Sequence, residues 1–572
     1  MNAEKSKKTK RGLSFSLLLL LFLLCGALAT VASAAPLQVT VTPAGAGTLS
    51  LSQYASDQVM LTATPSEGYV FSGFSGGSAG ADGQQSLALT AVFTPLQNAG
   101  SPGTLAVTPG SLAASGAVGG RFAPTAFAYT LRNTGGSTLQ WAAAATVPWL
   151  GLSSAGGSLA PGAVTTLTVS LSGAAGALGT GYYTDVLRFS NLTNASGDTT
   201  RPASLIVTDR PWEISVVTAG DSFSPVLTVD SGATVAWHWA DGSSSNSPAP
   251  EKSFGSAALR VNTFSVTPWS ALKRINLGYD ASDGGSPALE QVPGQQVVAV
   301  AGLEQAAPYL QKWCSSYTSI ASLNFDNFVN LNTIESFHAG SLTQVSLHNT
   351  PQLSRANFEG CGLAALDLTE SPALTDLRGG FNTYPGIDFG AAGSKAWHIC
   401  TAYNEQFTRN LPVAQFQQLR ELFIWHANQT GTLKTTSTSL TAVIVHHNAY
   451  TSADFSGGFI IANGWLEIND NHLSSLNLAG CSGLTYVNAS NNLMQSEAVD
   501  SVLATLDSLG GFGGTLDLTA NWPPSAVGLQ HAEALRQKAW TVKLADQSTR
   551  RSPDGFGLSA DKTGARGEAS LS

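Results

Sequence analysis

From Leu342 to Asn382 the apolar residues keep a beat that few folds can use. Leu342, Val345 and Leu347 are followed by Leu353, Ala356 and Phe358, then by Leu363, Leu366 and Leu368, then by Leu374 and Leu377. The groups start 10 or 11 residues apart, so two of them make a coil of 21, and their ninth positions are Thr350, Cys361, Ser371 and Asn382. Inward apolar residues at such intervals predict flat coils, with the polar ninth residue bonding backbone groups of neighbouring coils. One coil cannot bury its own apolar face, so only a stack is stable and its ends must be capped.

The beat recurs downstream at Leu419-Leu422-Ile424, at Leu440-Val443-Val445 with Asn448, at Leu466-Ile468 with Asn471, and at Leu473-Leu476-Leu478 with Cys481. It closes with Leu484-Val487-Ala489 and Asn492, then Leu516-Leu518 and Asn521, and it reaches back to Ile320, Leu323 and Phe325. Between Pro385 and Pro412 the register blurs, which predicts an irregular coil carrying a loop. Helical spacing over Ala498 to Leu509, a break at Asn521-Trp522-Pro523-Pro524 and a short helix over His531 to Lys538 read as a C-terminal cap. The L-x-x-L-x-L groups with Asn or Cys at the turn resemble the leucine-rich repeat of bacterial proteins, although a half-period of about ten residues departs from the one-strand unit. The resemblance implies a solenoid over 301–546.

Ahead of the repeats the chain predicts β modules, giving a multidomain, mainly β protein. Over 36–96, short alternating strands surround Ala63-Thr-Pro-Ser-Glu-Gly-Tyr-Val-Phe-Ser-Gly-Phe-Ser-Gly-Gly77. That run resembles the divergent internalin-type B repeat, a compact grasp-like sheet, with Phe74 where the family usually has Trp; the resemblance implies a spacer or a weak adhesive unit. Over 103–208, regularly spaced strands with turns at Asn133-Thr-Gly-Gly136 and Ala160-Pro-Gly162 predict an immunoglobulin-like sandwich. Trp149-Leu-Gly-Leu-Ser153 and the strands after it resemble the BACON-type domains beside bacterial carbohydrate-active proteins, so Trp141 and Trp149 read as core before they read as sugar platforms. Over 212–300, Trp237-His-Trp-Ala-Asp-Gly242 resembles the polycystic-kidney-disease type of sandwich; a β cap for the repeats is the other reading.

Residues 1–34 have the three parts of a secretory signal: basic residues to Arg11, an apolar run over Leu17 to Leu24, and Ala32-Ser33-Ala34 before the cut. An uncleaved anchor over Leu13 to Ala32 is the alternative. Removing 1–34 moves the balance from 28 basic against 37 acidic residues to 23 against 36, a net −13. So acidic a surface excludes nucleic-acid partners, which need a positive footprint. Export to the cell surface or medium is expected, with no membrane span after cleavage. The polar stretch 547–572 reads as a disordered tail. Cys361 and Cys481 fall on turns of distant coils and read as buried thiols, and no Cys/His spacing suggests zinc.

No nucleophile elbow, zincin helix or phosphate loop is present, so the chain reads as noncatalytic and without cofactor. One patch reads as a ligand site. Aligning the rungs sets Phe423, Trp425 and His426 beside Ile444, His446 and His447, with Glu467, Asn469 and Asp470 on the next. Such residues suit a protein or glycan partner, protein first. The bland alternative is a half-buried strip packed by the 385–412 insertion. A metal held by His426, His446 and His447 is a third option, lacking a placed carboxylate and needing converging rings, so none is expected. The rival to a repeat-based binder is a carbohydrate-binding or enzyme-accessory protein working through the middle sandwiches.

Overall fold

Alternation of buried and exposed residues along short strands governs this chain. Its computed structural model describes residues 101–108, 112–278, 296–390 and 393–546, with the backbone of strand segments at 15–19, 38–42, 47–55, 58–65, 69–75 and 88–95. Two compact units divide it: Met1–Leu112, Pro124–Gly176 and Thr184–Ala203 in one, Ala113–Ala123, Ala177–Tyr183 and Ser204–Ser572 in the other. Of the expected leader only Phe15–Leu19 is described, as a strand antiparallel to Gln58–Pro65. The rest of that expectation and the tail from 547 lie outside the described residues.

In the first unit, Gly47–Ala55 pairs antiparallel with Gln58–Pro65, and Tyr69–Ser75 with Ala88–Pro95, which also pairs parallel with Gln38–Thr42. Beyond them a four-stranded antiparallel sheet runs Leu150–Leu152, Val164–Leu171, Ala126–Asn133, Leu105–Thr108. Tyr129, Leu131, Leu167 and Val169 from this sheet are buried with Leu139, Trp141 and Phe189 of strands outside it, as two facing sheets require. Trp141 and Trp149 are 5% and 4% exposed, which makes both core residues. Asn133 fixes the turn the sequence marked: its Nδ2 donates to Ser137 O and Leu159 O, and its Oδ1 accepts from Gly135 N–H.

The second unit is organised by one 13-stranded sheet. It begins with Val226–Val229 antiparallel to Leu272–Asn276 and continues in parallel through Lys312–Cys314, Thr333–Glu335, Arg355–Asn357, Asp376–Arg378, His398–Cys400, Glu421–Phe423 and onward to Trp540–Lys543. Every coil also passes along the other side of the core, where Ser322–Asn324 pairs with Gln344–Ser346, Leu366–Asp367 with Ile387–Asp388, and Thr430–Lys434 with Ala449–Asp454 and Ser475–Asn477. This explains the half-period. Successive apolar groups of ten or eleven residues lie on alternate sides, and both sides point leucines inward.

One expectation is corrected here, and of the two readings of 212–300 the strands follow the β cap. The interval 385–412 is an ordinary coil, with Ile399 in register between Leu377 and Leu422. Its core positions are Phe389, Ala396, Phe407 and Leu411, all buried, so the leucine pattern fades while the geometry does not. The strands of 212–300 do not stand apart from the repeats, since Leu272–Asn276 bonds directly into the long sheet and Trp237, Phe264 and Trp313 share its core.

The C-terminal end is closed by α1, Ser496–Ser508, which buries Val499, Val502, Leu503 and Leu506, and by α2, Ala526–Gln537. Helix α2 begins five residues earlier than the sequence suggested. Ser525 caps it by accepting from Val527 and Gly528 N–H, a start that the preceding prolines disguise as a break. No helix among the described residues is long and apolar enough to cross a membrane.

Cys361 and Cys481 are buried free thiols, and Cys314 is buried as well. Burial pushes Cys361 up to about 12, and its Sγ donates to Ser336 O at 2.9 Å. All three are expected to resist a thiol reagent at pH 8 in the native chain and to react fully in denaturant, a difference that Ellman titration reads directly.

Candidate functional site

Each coil leaves the long sheet through the same corner. After the strand comes one more inward residue, such as Ile424, Val445 or Ile468, then an outward residue, then a residue of left-handed backbone. That last slot is held by Tyr317, His338, Gly360, Phe381, Tyr403, His426, His447, Asp470, Asn491 and Ala520, with φ between 50° and 67°. Its N–H donates to the next coil, as from Tyr403 to Trp425 O at 2.9 Å and from Phe381 to Ala402 O at 2.8 Å. The left-handed turn is what the corner needs, yet only one of the ten is glycine, and each other residue carries a cost of roughly 1–2 kcal/mol. Strain kept at one slot through a whole stack marks the slot as useful.

The side chains at this slot form a column. Phe381 stacks on Tyr403 at 4.5 Å between ring centroids, Tyr403 on His426 at 5.0 Å, and His426 on His447 at 4.4 Å, all within 23° of parallel. Coil spacing of about 4.8 Å is close to a stacking distance, so the backbone repeat itself sets the rings on one another. A second row lies beside the first: Phe423 meets Trp425 edge-on at 6.2 Å, Trp425 stacks on His446 at 5.9 Å, and Trp465 on Tyr486 at 3.8 Å. Phe381, Trp397, Tyr403 and Trp465 are each at least 38% exposed.

All the residues singled out from the sequence fall on this side of three consecutive coils. Glu467 holds Trp465 Nε1 at 2.9 Å, and its Oε2 lies 3.9 Å from His446 Nε2. Asp470 Oδ2 is 3.7 Å from His447 Nε2, and Asp470 also takes hydrogen bonds from Asn469 and Asn491. Burial lowers His446 to about 4, with the charges of His447 and His426 adding to the effect, and it lowers His426 as well. The 385–412 segment is spent on a coil of its own and adds His398, hydrogen-bonded to Glu421 at 2.7 Å, to the same side.

Phe381, Tyr403 and Tyr486 escaped the sequence reading, and Trp397 reads there only as part of a rung. The signal for the first two was present: they directly precede Asn382 and Asn404, as His447 precedes Asn448 and Asp470 precedes Asn471.

Residues 37–100 match the family model described as the Divergent InlB B-repeat domain. The B-repeat resemblance of the amino-terminal module is thereby matched. Among solved structures the chain is similar to the functional domain of InlJ from Listeria monocytogenes, described as including a cysteine ladder, at 18% identity over 51% of this chain and 57% of that one, with a TM-score of 0.35. It is also similar to an internalin, inlF, from Listeria monocytogenes str. 4b F2365, at 14% identity over 49% of this chain and 89% of that one, with a TM-score of 0.27. The chain thus covers little more than half of the InlJ structure's length. No curated protein matches it.

Proposed function

We propose that this chain is an exported, noncatalytic bacterial surface or secreted protein that binds another protein through a leucine-rich-repeat solenoid, with the amino-terminal β modules as spacers. The observation that carries the reading is the double row of half-buried and exposed rings on the long-sheet side, from Phe381 to Tyr486. Rigid aromatic side chains bury much area for little lost rotamer freedom, and they dominate binding energy where they cluster. The B-repeat match over 37–100 supports placement among modular surface proteins. Against a sugar-binding sandwich stands the burial of Trp141 and Trp149, the rings such a site would present.

Photo-cross-linking the full chain to intact cells tests the reading. A single protein partner is expected, and Trp425→Ala or Tyr403→Ala should weaken its binding by a factor of about ten to a hundred, the range of an interface hot spot. Lys434→Ala, on the opposite side of the core, should leave it unchanged. Binding that survives both ring substitutions removes the long-sheet side as the docking surface.

A further inference from the structure

Where His446 and His447 follow one another, an ordinary strand would send them to opposite faces. The left-handed backbone of His447, at φ 54°, instead swings its ring round to the side of His446. The two Nδ1 atoms face each other at 2.7 Å. A third imidazole, from His426 on the preceding coil, closes the group, and one ring nitrogen from each of the three lies within 4.8 Å of the others. On the far side of the facing pair, each ring turns its Nε2 toward a carboxylate: His446 to Glu467 at 3.9 Å and His447 to Asp470 at 3.7 Å.

We propose that His426, His446 and His447 form a binding site for a divalent transition-metal ion, with Glu467 and Asp470 orienting two of the three imidazoles from behind. At histidine metal sites a carboxylate on the outer nitrogen fixes tautomer and ring direction, and here two carboxylates face those nitrogens just beyond hydrogen-bond distance. Metal–nitrogen bonds of about 2.0–2.1 Å in a tetrahedron put ligand nitrogens about 3.3 Å apart. To reach that spacing the His426 ring, which stacks on His447 at 4.4 Å, has to turn out of its stack. An all-imidazole set suits zinc, copper, nickel or cobalt and does not suit the oxygen-seeking calcium or magnesium. The fourth position is left to solvent. The site does not rest on the docking reading, because it is complete within this chain.

Equilibrium dialysis of the chelator-treated full chain against zinc chloride alone tests the assignment, with cobalt(II) as a spectroscopic probe. One ion per chain is expected to bind saturably, and cobalt should give the intense visible bands of a four-coordinate nitrogen site. His447→Ala and His426→Ala should each weaken zinc at least about tenfold, and Asp470→Asn by about ten- to a hundredfold, the usual effect of losing an orienting carboxylate. His338→Ala, at the same corner slot of a coil that offers no such trio, should change nothing. His447 is exposed, so its loss spares the core; circular dichroism of each variant confirms that the stack is intact. Absence of saturable zinc binding, or binding indifferent to His426, His447 and Asp470 together, would overturn the assignment. Neither result depends on whether a protein partner is found.

Discussion

Replacing Arg355 by alanine is expected to lower the stability of the repeat stack by about 3–5 kcal/mol, the cost of breaking a buried ion pair from one side. Arg355 lies on one rung and ties the rungs on either side: its Nε is 2.5 Å from Glu335 Oε1 and its Nη1 is 2.5 Å from Asp376 Oδ2. Glu335 is fully buried and Asp376 nearly so, and Asn357 Nδ2 takes the remaining Glu335 oxygen at 2.9 Å. The ion pairs themselves contribute little net stability, because three charges gave up water to make them. Removing only the cation leaves two buried carboxylates 41 residues apart in sequence, one rung to either side of the gap: Glu335 keeps the Asn357 amide, and Asp376 keeps Arg378 Nε at 3.5 Å and His398 Nε2 at 3.9 Å. Denaturant unfolding should therefore show the loss in Arg355→Ala and a recovery of most of it in Arg355→Met combined with Glu335→Gln and Asp376→Asn. A cost below about 1 kcal/mol for Arg355→Ala would mean that water reaches both acids.

That network was not legible in the sequence, although the stack around it was. Leucines at a fixed interval announce a repeating inward face, and the interval survives in the register of Ala356, Leu377, Ile399 and Leu422. The number of sides was hidden, because a strand on the long sheet and a strand behind it bury leucine in the same local pattern. The regularity of the coil at 385–412 was hidden for a related reason, its interior being filled by Phe389 and Phe407, which fit the space without repeating the letter. Merging of the 212–278 strands into the long sheet depends on hydrogen bonds between distant segments, and no local pattern encodes those. At the candidate site, counting alternate residues found Trp425 and His446 but lost Phe381 and Tyr403. Those two sit three residues past the strand, where alternation has stopped and backbone of positive φ decides which way a side chain points.

The second large effect is expected at Asn471, where the staple between coils and the candidate site meet. Its Nδ2 donates to Val445 O of the preceding coil at 3.0 Å and to Ile468 O of its own at 3.2 Å, while its Oδ1 accepts from Tyr450 N–H at 3.1 Å. Asn448 and Asn492 use the same carbonyls, Val445 O and Ile468 O respectively, so each carbonyl is shared by two successive asparagines. Loss of one asparagine therefore does not strip the carbonyls bare; it takes the side-chain acceptor from Tyr450 N–H, buried beside it, and opens a small void. Asn471→Ala is expected to cost about 2–3 kcal/mol on that account. Asn471→Asp should cost more, since it keeps the acceptor but turns a carboxylate oxygen on two carbonyls that need a donor. Asn471→Cys should cost least, because Cys361 already serves the equivalent corner through one sulfur hydrogen bond. Hydrogen exchange of the amides over 443–488 resolves the order, since a stack loses protection first at the coils whose mutual bonds are cut. Because Asp470 is the neighbouring residue, the same exchange should quicken at His447 and Asp470 in Asn471→Ala. If Asn471→Ala, Asn471→Asp and Asn471→Cys all fall within about 0.5 kcal/mol of the parent, as surface substitutions do, the corner is held by its backbone alone. In that case the rings at the left-handed slot owe their stacking to one another and not to the asparagines beneath them.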